Sequence, residues 1–215
     1  MRVYHFSSAK HAIENLRHKR LKIATLPDIN DPFELAVCCS DHDRREALRG
    51  TRREWASVFG MLCFSGNWQN PVQWSHYADK HRGICLGFDV PADLLVKVQY
   101  KRMPPQLNWG AIEEGGRAGE AEMMRWSSTK FEHWAYEDEW RAFLSLEETD
   151  TNGLYFKDFD ESLKLREVFV GPECSASRAD IAEALGNARD VGVSKTRAAF
   201  RGYRIVRQRN ASIWH

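Results

Sequence analysis

Residues 134–144 read WAYEDEWRAFL, two glutamates one residue apart that lead into an apolar, strand-like run. Alternate residues of a β-strand project from one face, so a strand here would place Glu137 and Glu139 side by side, about 7 Å apart. Arg141 would lie on that same face as an ion-pair partner. Carboxylates between aromatic residues are costly to bury without a partner or a task. The segment therefore predicts either a structural ion pair at a strand end or a pair of functional carboxylates.

Short strand-like runs and helical patterns alternate on both sides of this segment. The predicted strands span 2–6, 21–24, 61–65, 84–88, 96–100, 139–146, 153–156, 165–170 and 203–207. The predicted helices span 43–58, 72–80, 120–133 and 177–185, with a first helix capped at Ser7 or Ser8 and ending near 18. The polar stretch 110–119 is predicted to be flexible. Together these patterns predict a single α+β domain over residues 1–215, built on one or two sheets.

The composition is typical of a globular protein, with 43% hydrophobic and 28% charged residues and a net charge of +1. That charge favours no class of partner. Two arginine-rich stretches, 42–53 and the C-terminal 197–209, are compatible with phosphate contacts, although solvated faces are the commoner reason for such clusters. The sequence has no secretory signal pattern and no membrane-length apolar stretch. We therefore expect a cytoplasmic protein without a membrane partner.

The cysteines give no sign of a disulfide framework or a zinc ribbon. There are five of them, an odd number, and no Cys-x-x-Cys occurs. Cys63 and Cys85 lie in apolar runs and are expected to be small buried residues. This usage is typical of a reducing, intracellular compartment.

Two segments near the N-terminus carry polar side chains that a core would not select. Residues 4–8 read YHFSS, in which His5 and the following hydroxyls at a helix start could hold a ligand. A buried histidine bonded to a carbonyl, followed by an ordinary N-cap, is the structural alternative. Residues 30–34 read NDPFE, and turn chemistry alone accounts for Asn, Asp and Pro there.

A third segment, 74–83, reads WSHYADKHRG and places Trp74, Tyr77 and His81 on one face of its predicted helix. Such a face is normally core, but a phenol and an imidazole on it could also face a cleft. A metal site would need His76 and His81 together with the two glutamates. No His-Glu-x-x-His or comparable spacing supports such a site.

The segments 30–34, 63–65, 74–88 and 136–141 together resemble an uncharacterised family of bacterial proteins with a domain of unknown function. The corresponding motifs in this chain are NDPFE, CFS, WSHYADKHRGICLGF and YEDEWR. This resemblance spans most of the chain from the N-terminus to about Arg141. It implies no activity by itself.

A second resemblance does imply an activity. The stretch 3–8 (VYHFSS), followed by Ile13, Leu16 and Leu21, is similar to the opening of ADP-ribosyltransferases of the His-Tyr-Glu type, which include DNA-modifying toxins. These enzymes begin with a strand bearing His-x-Thr/Ser and place a catalytic glutamate at the start of a later strand, as Glu139 is placed here. No clear glycine-aromatic strand precedes a serine helix, which departs from the pattern. The resemblance implies an α+β fold with a mixed, mostly antiparallel split β-sheet core and flanking helices.

The resemblance also implies roles in binding NAD⁺ as a substrate. His5 and Ser7 would hold the ribose and nicotinamide ends of NAD⁺. Tyr77 would stack beside the nicotinamide, with Trp74 also in the binding site. No metal is expected.

The catalytic carboxylate would be one of the two glutamates. Glu139 would accept a hydrogen bond from the ribose 2′-OH and stabilise the positive charge as the glycosidic bond breaks. Glu137 would position or deprotonate the acceptor. The Glu-x-Glu step is similar to the Gln/Glu-x-Glu signature of the Arg-Ser-Glu branch, so either glutamate can be the catalytic one.

The acceptor of the ADP-ribosyl group stays open between DNA, RNA, a protein side chain and water. A toxin or phage-defence effector, with a neutralising partner protein, is the biological role that the resemblance implies. Two other classes remain alternatives: a metal-dependent nuclease that uses carboxylates and histidines, and a non-catalytic module that binds nucleic acid or another partner.

Overall fold

A computed structural model describes residues 1–31, 33–34, 42–188 and 190–214 of the chain. The predictions made for Pro32, Cys38 and Cys39 lie outside these residues. In chain order the described elements are β1 (Arg2–Ser7), α1 (Ala9–His18), β2 (Arg20–Lys22), α2 (His42–Val58), β3 (Phe59–Ser65), α3 (Pro71–Tyr77), β4 (Ile84–Asp89), β5 (Val96–Lys97), β6 (Gln99–Lys101), α4 (Trp109–Glu114), α5 (Gly116–Trp126), β7 (Thr129–Phe131), β8 (Glu139–Ser145), β9 (Phe156–Asp158), β10 (Lys164–Val170), α6 (Arg178–Leu185), β11 (Gly192–Ala198) and β12 (Ile205–Arg207). Short 3-10 helices include Leu26–Asp28 and Glu132–Glu137.

Eight of these strands form one sheet in the order β12-β11-β10-β4-β1-β3-β8-β5. Its pairings are antiparallel except for the parallel pair β10–β11. Two small two-stranded sheets, β2–β9 and β6–β7, complete the strand pairings. The predicted α+β class and the mixed, mostly antiparallel sheet are confirmed.

Helices cover both faces of the central strands. Helix α1 buries Ala12 and Leu16, four residues apart and therefore on one helix face, against the larger core cluster. The Ser8 hydroxyl caps α1 by accepting the His11 backbone N–H at 3.3 Å, as predicted. On the opposite face, Trp74 of α3 packs with Phe169 of β10 in a separate cluster. Strand β4 is covered on both sides, which explains its continuous apolar run.

Strands β1 and β3 separate soon after they meet, and this separation positions the site. β1 pairs with β4 along all six of its residues, but the ladder described between β1 and β3 is the single pair Tyr4–Ser65. Ala24 takes the vacated place beside β3, where it exchanges two backbone hydrogen bonds of 2.9 Å with Met61. A gap therefore opens between the end of β1, strand β3 and the 24–30 segment.

Several predicted segments are wrong. The predicted strand 153–156 overlaps strand β9 at Phe156 alone. Residues 110–119 belong to helices α4 and α5, which are separated where Gly115 and Gly116 adopt positive φ angles of 68° and 51°. The predicted helix 120–133 ends at Trp126, and its last part forms strand β7. The predicted strand 96–100 is two short strands, β5 and β6, that belong to different sheets. The sequence pattern predicts no strand at β11, in the C-terminal part of the chain.

Two further predictions concern membrane-spanning helices and disulfide bonds. In the described part of the chain, no helix has the length and apolar character needed to cross a bilayer. Cys63, Cys85 and Cys174 are free thiols.

Candidate functional site

A cavity of about 550 Å³ lies where β1 and β3 separate. Four of the six residues predicted for a site line it: His5, Tyr77, Glu137 and Glu139. Its wall is completed by residues that include Asn30, Glu34, Cys63, Ser65, Gln73, His76, Lys130 and Arg141. The volume lies within the ~300–1,000 Å³ range of small-molecule sites.

Five charged side chains meet in the wall of this cavity, and all are buried. We call them the five-charge cluster: Glu34, Lys130, Glu137, Glu139 and Arg141. The Lys130 ammonium lies 3.0 Å from Glu34 Oε1 and 2.7 Å from one oxygen each of Glu137 and Glu139. With three carboxylates and two cations, the cluster carries one net negative charge when every member is ionised.

Arg141 binds two of the three carboxylates in the five-charge cluster, those of Glu34 and Glu139. Its Nε donates to Glu139 Oε1 at 2.8 Å and its Nη2 to Glu34 Oε2 at 2.6 Å. Nη2 also reaches Glu139 Oε2 at 3.1 Å, and Nη1 donates to the Ser127 carbonyl. The predicted pair of Glu139 and Arg141 is therefore present, and both Glu139 oxygens are occupied by cations.

The two glutamates come from different kinds of backbone. Glu137 ends a 3-10 helix, Asp138 turns the chain in the left-handed region at φ 48°, and Glu139 begins β8. The predicted strand start at Glu139 is confirmed, whereas the expectation that Glu137 and Glu139 share one strand face is wrong, because the turn at Asp138 separates them. Their carboxylates still converge, since Lys130 of β7 reaches both.

Buried hydrogen bonds hold the Glu137 backbone against β3 and α3. The Glu137 carbonyl accepts from Ser65 Oγ at 2.7 Å and from Gln73 Nε2 at 2.6 Å. Gln73 also donates to Ser65 Oγ at 2.7 Å. These contacts fix the end of the 3-10 helix, so that the Glu137 side chain enters the cavity from a rigid base.

The two carboxylates differ in their electrostatic environment. Burial acts to raise the pKa of Glu139, but Arg141 and Lys130 outweigh burial and hold that pKa at about 2. Burial also raises the pKa of Glu137, and there Lys130 and Tyr77 offset burial only in part. Glu139 is therefore ionised at neutral pH. Glu137, in contrast, binds a proton more readily than an ordinary glutamate does.

The low pKa of Glu139 predicts a specific loss of stability in acid. Its ionised form stabilises the fold above the ordinary glutamate pKa of 4.5, and this contribution disappears as the pH falls toward about 2. The full contribution is on the order of 3 kcal/mol. We expect the difference in unfolding free energy between wild type and Glu139→Gln, measured by urea denaturation, to shrink between about pH 5 and pH 3. Glu161→Gln, at a side chain 90% exposed, is the control. A difference that stays constant with pH would contradict the prediction.

Tyr77 connects the cavity to the cluster. Its hydroxyl donates to Glu137 Oε1 and accepts from Asn30 Nδ2 at 3.1 Å. Burial, and then the hydrogen bond to Glu137, raise the pKa of Tyr77 well above its usual range, so the phenol stays neutral. Because α3 ends at Tyr77, the ring lies at the helix terminus beside the cavity.

His5 closes the end of the cavity where β1 leaves β3. Its Nδ1 lies 3.1 Å from the Cys63 carbonyl, which can only accept, so Nδ1 carries the proton and Nε2 is an acceptor. Burial lowers the pKa of His5 despite this hydrogen bond. A neutral imidazole therefore faces the site.

Three side chains that the sequence singles out, Trp74, His81 and Ser7, do not line the first cavity. Trp74 is fully buried, donates from Nε1 to the Trp68 carbonyl at 2.6 Å and packs on Phe6, which lines the cavity where Trp74 does not. The predicted helix face of Trp74, Tyr77 and His81 is wrong, because α3 stops at Tyr77 and His81 lines another cavity. The Ser7 hydroxyl is buried without a partner among the described residues and does not line the first cavity.

Glu34 and Lys130 are the two cluster members that the sequence did not reveal. The sequence predicts a turn at Glu34 and a helix at Lys130. One signal was available: Ser127, Ser128 and Thr129 interrupt the helical pattern just before Lys130. The described residues contain no group of three or more His, Cys, Asp or Glu side chains arranged to hold a metal ion.

Residues 73–142 match a family described as "Protein of unknown function (DUF2971)". The match begins at Gln73 and ends one residue after Arg141, so it includes four of the five cluster residues and Tyr77, while Glu34 precedes it. It supports the resemblance to an uncharacterised family. No curated protein and no solved structure matches the chain at a significant level.

Proposed function

We propose that the chain is an ADP-ribosyltransferase-like enzyme that cleaves the bond between nicotinamide and ribose in NAD⁺. The observation that carries this proposal is the convergence of His5, Tyr77 and Glu137 on one cavity. An imidazole, a phenol and a carboxylate are the groups expected of the His-Tyr-Glu type. The order of β1, α1 and β2 also supports the proposed fold relationship.

Glu137 rather than Glu139 is the catalytic carboxylate in this proposal. Both oxygens of Glu139 are engaged by Arg141, and one of them also by Lys130, so binding a ribose hydroxyl would require a buried ion pair to break. Glu137 contacts Tyr77 with one oxygen and Lys130 with the other. A ribose 2′-OH can replace the Tyr77 hydroxyl on Glu137 without disturbing Arg141. Glu139 then becomes a positioning residue, which holds Lys130 and Arg141.

Glu137, Tyr77 and His5 each have a defined task as the bond between nicotinamide and ribose breaks. The Glu137 carboxylate stabilises the positive charge that develops on the ribose, an interaction that strengthens toward the transition state. The Tyr77 ring packs beside the departing nicotinamide. The neutral His5 accepts a hydrogen bond from a ribose hydroxyl at Nε2. Ser7 and Trp74 have no direct task, because neither lines the cavity.

The proposal is tested by following nicotinamide release from NAD⁺ by chromatography. The protein is incubated with NAD⁺ alone, then with single-stranded DNA, RNA or a protein mixture added as acceptor. We expect release that depends on the protein and on at least one acceptor, water included. Absence of release under every condition would refute the proposal.

The raised pKa of Glu137 predicts the acid limb of the pH profile. Glu137 must be ionised to act, so kcat/KM should fall as the pH drops through a pKa above 4.5. The Tyr77 hydrogen bond lowers the pKa of Glu137, so Tyr77→Phe should shift this limb to higher pH. The measurement is kcat/KM for NAD⁺ against pH. Tyr136→Phe, on the same 3-10 helix as Glu137, is the matched control and should leave the limb in place. An unshifted limb in Tyr77→Phe would exclude Glu137 as the titrating group.

A further inference from the structure

The turn between β11 and β12, residues 199–204, presents two unusually exposed aromatic side chains. Phe200 is 89% and Tyr203 is 99% exposed, more than any other large hydrophobic side chain in the described part of the chain. The turn is closed by a 2.9 Å hydrogen bond from the Ala199 N–H to the Arg204 carbonyl. Rings held out by an ordered turn, rather than folded onto the sheet, indicate a contact surface.

The charged side chains of the segment that contains this turn are all positive. Residues 191–214 contain six cations and no carboxylate: Lys195, Arg197, Arg201, Arg204, Arg207 and Arg209. Two are committed to the fold, since Lys195 donates to the Gly171 and Cys174 carbonyls and Arg207 pairs with Glu167. Arg201, Arg204 and Arg209 are exposed and have no ion-pair partner among the described residues. The exposed face of this segment therefore favours an anionic partner, although the whole chain carries only +1 and Glu173 lines the adjoining cavity.

The Phe200 ring already has an arginine side chain packed on its face. The Arg197 guanidinium carbon lies 4.2 Å from the centroid of the Phe200 ring. Proteins that bind single strands combine exposed rings, on which bases stack, with arginines that follow the phosphates. An anionic membrane surface is a poorer match, because two rings on one short turn lack the broad apolar face of a membrane-binding helix.

A second cavity of about 620 Å³ lies beside the turn. Its lining includes Pro71, His81, Glu173, Phe200, Tyr203 and Arg204. Its wall is strained at the turn that carries His81: Asp79, Lys80 and His81 have consecutive left-handed φ angles of 44°, 53° and 70°. Such strain persists only where the surroundings enforce it.

Gly171 enforces the position of His81. A Cβ built at Gly171 would lie 2.3 Å from the His81 carbonyl oxygen, and the Glu173 N–H donates to that oxygen at 3.1 Å. The backbone of His81 is therefore fixed against the strand end after β10. One residue of the cavity wall is therefore held in place by a close backbone approach that a Cβ at Gly171 would prevent.

We propose that the β11–β12 turn and the second cavity form a binding site for single-stranded nucleic acid. Bases stack on Phe200 and Tyr203, phosphates lie against Arg201 and Arg204, and one unstacked base enters the cavity beside His81. This binding does not depend on the glycosidic chemistry of the first cavity. If both activities are present, the site brings a nucleic-acid acceptor to the enzyme.

The test is fluorescence anisotropy of the full chain with labelled oligouridylate and oligothymidylate about 12 nucleotides long, over a range of salt concentrations. Phe200→Ala and Tyr203→Ala should each weaken binding on the order of tenfold with little change in salt dependence, whereas Tyr203→Phe should bind like wild type. The double variant Arg201→Gln/Arg204→Gln should lower the slope of log K against log salt by about 1.4. Binding of either oligonucleotide that weakens in the turn variants supports the proposal, and the preferred oligonucleotide shows whether a 2′-OH is recognised.

A matched control is available on α2, where Arg49 and Arg53 form part of the other arginine-rich stretch. Arg49→Gln/Arg53→Gln should leave affinity and salt slope unchanged. The proposal is overturned if neither oligonucleotide binds at low salt, or if the α2 variant rather than the turn variants abolishes binding. It is also overturned if anionic lipid vesicles bind the turn while the oligonucleotides do not. Nicotinamide release is measured separately, so failure here leaves the NAD⁺ proposal untouched.

Discussion

Arg141→Met is expected to lower the free energy of unfolding by about 3–5 kcal/mol, the largest stability effect that we predict for this chain. The side chain is 2% exposed and forms ion pairs with both Glu34 and Glu139. Methionine fills a similar volume but leaves three buried carboxylates with Lys130 as their remaining cation in the cluster. Urea denaturation followed by circular dichroism measures the loss.

The control for this substitution is Arg17→Met, at a surface pair with Glu14 in which both side chains are almost half exposed. Exposed pairs contribute about 0–1 kcal/mol, so this variant should unfold close to wild type. Adding Glu139→Gln to Arg141→Met should recover part of the loss, because it removes a carboxylate that has lost its bidentate partner. Equal stability of Arg141→Met and Arg17→Met would show that the cluster is not the buried network described.

Glu137→Gln is expected to reduce nicotinamide release about 10²–10³-fold, which corresponds to ~2.7–4 kcal/mol of transition-state stabilisation. The substitution keeps the size of the side chain and removes the negative charge on which the proposed chemistry depends. Burial raises the pKa of Glu137, so its ionised form is unfavourable in the fold. We therefore expect Glu137→Gln to fold at least as stably as wild type at neutral pH.

Two comparisons distinguish a loss of catalytic activity from a loss of folding stability. Glu132→Gln changes an exposed carboxylate on the same 3-10 helix and should retain full activity. Glu139→Gln should lose stability, whereas Glu137→Gln should lose activity without losing stability. The assignment of Glu137 fails if Glu137→Gln turns over NAD⁺ like wild type.

The strands with long regular patterns were predictable from the sequence. Strands β3, β8 and β10 lie within two residues of their predicted bounds, because a run of five or more residues rich in apolar side chains is a strong local signal. β7 has three residues and pairs in parallel with β6, so its conformation is decided by a neighbour distant in the chain. The local pattern predicts a helix at Lys130 for that reason.

The composition of the site was less predictable than its most prominent motif. The Glu-x-Glu step and the pairing of Glu139 with Arg141 follow from local spacing. Glu34 reaches Arg141 across 107 positions of sequence, and the rules for turns say nothing about such a contact. The turn at Asp138, which separates the roles of the two glutamates, depends on a single left-handed residue.

The most direct test of the central claim is a crystal structure of Glu137→Gln soaked with NAD⁺. The claim predicts NAD⁺ in the first cavity, with the 2′-OH of the nicotinamide ribose at hydrogen-bond distance from residue 137, the nicotinamide against Tyr77, and Glu139 still paired with Arg141. NAD⁺ bound outside this cavity, or with its nicotinamide ribose on Glu139 after the Arg141 pair has broken, would contradict it.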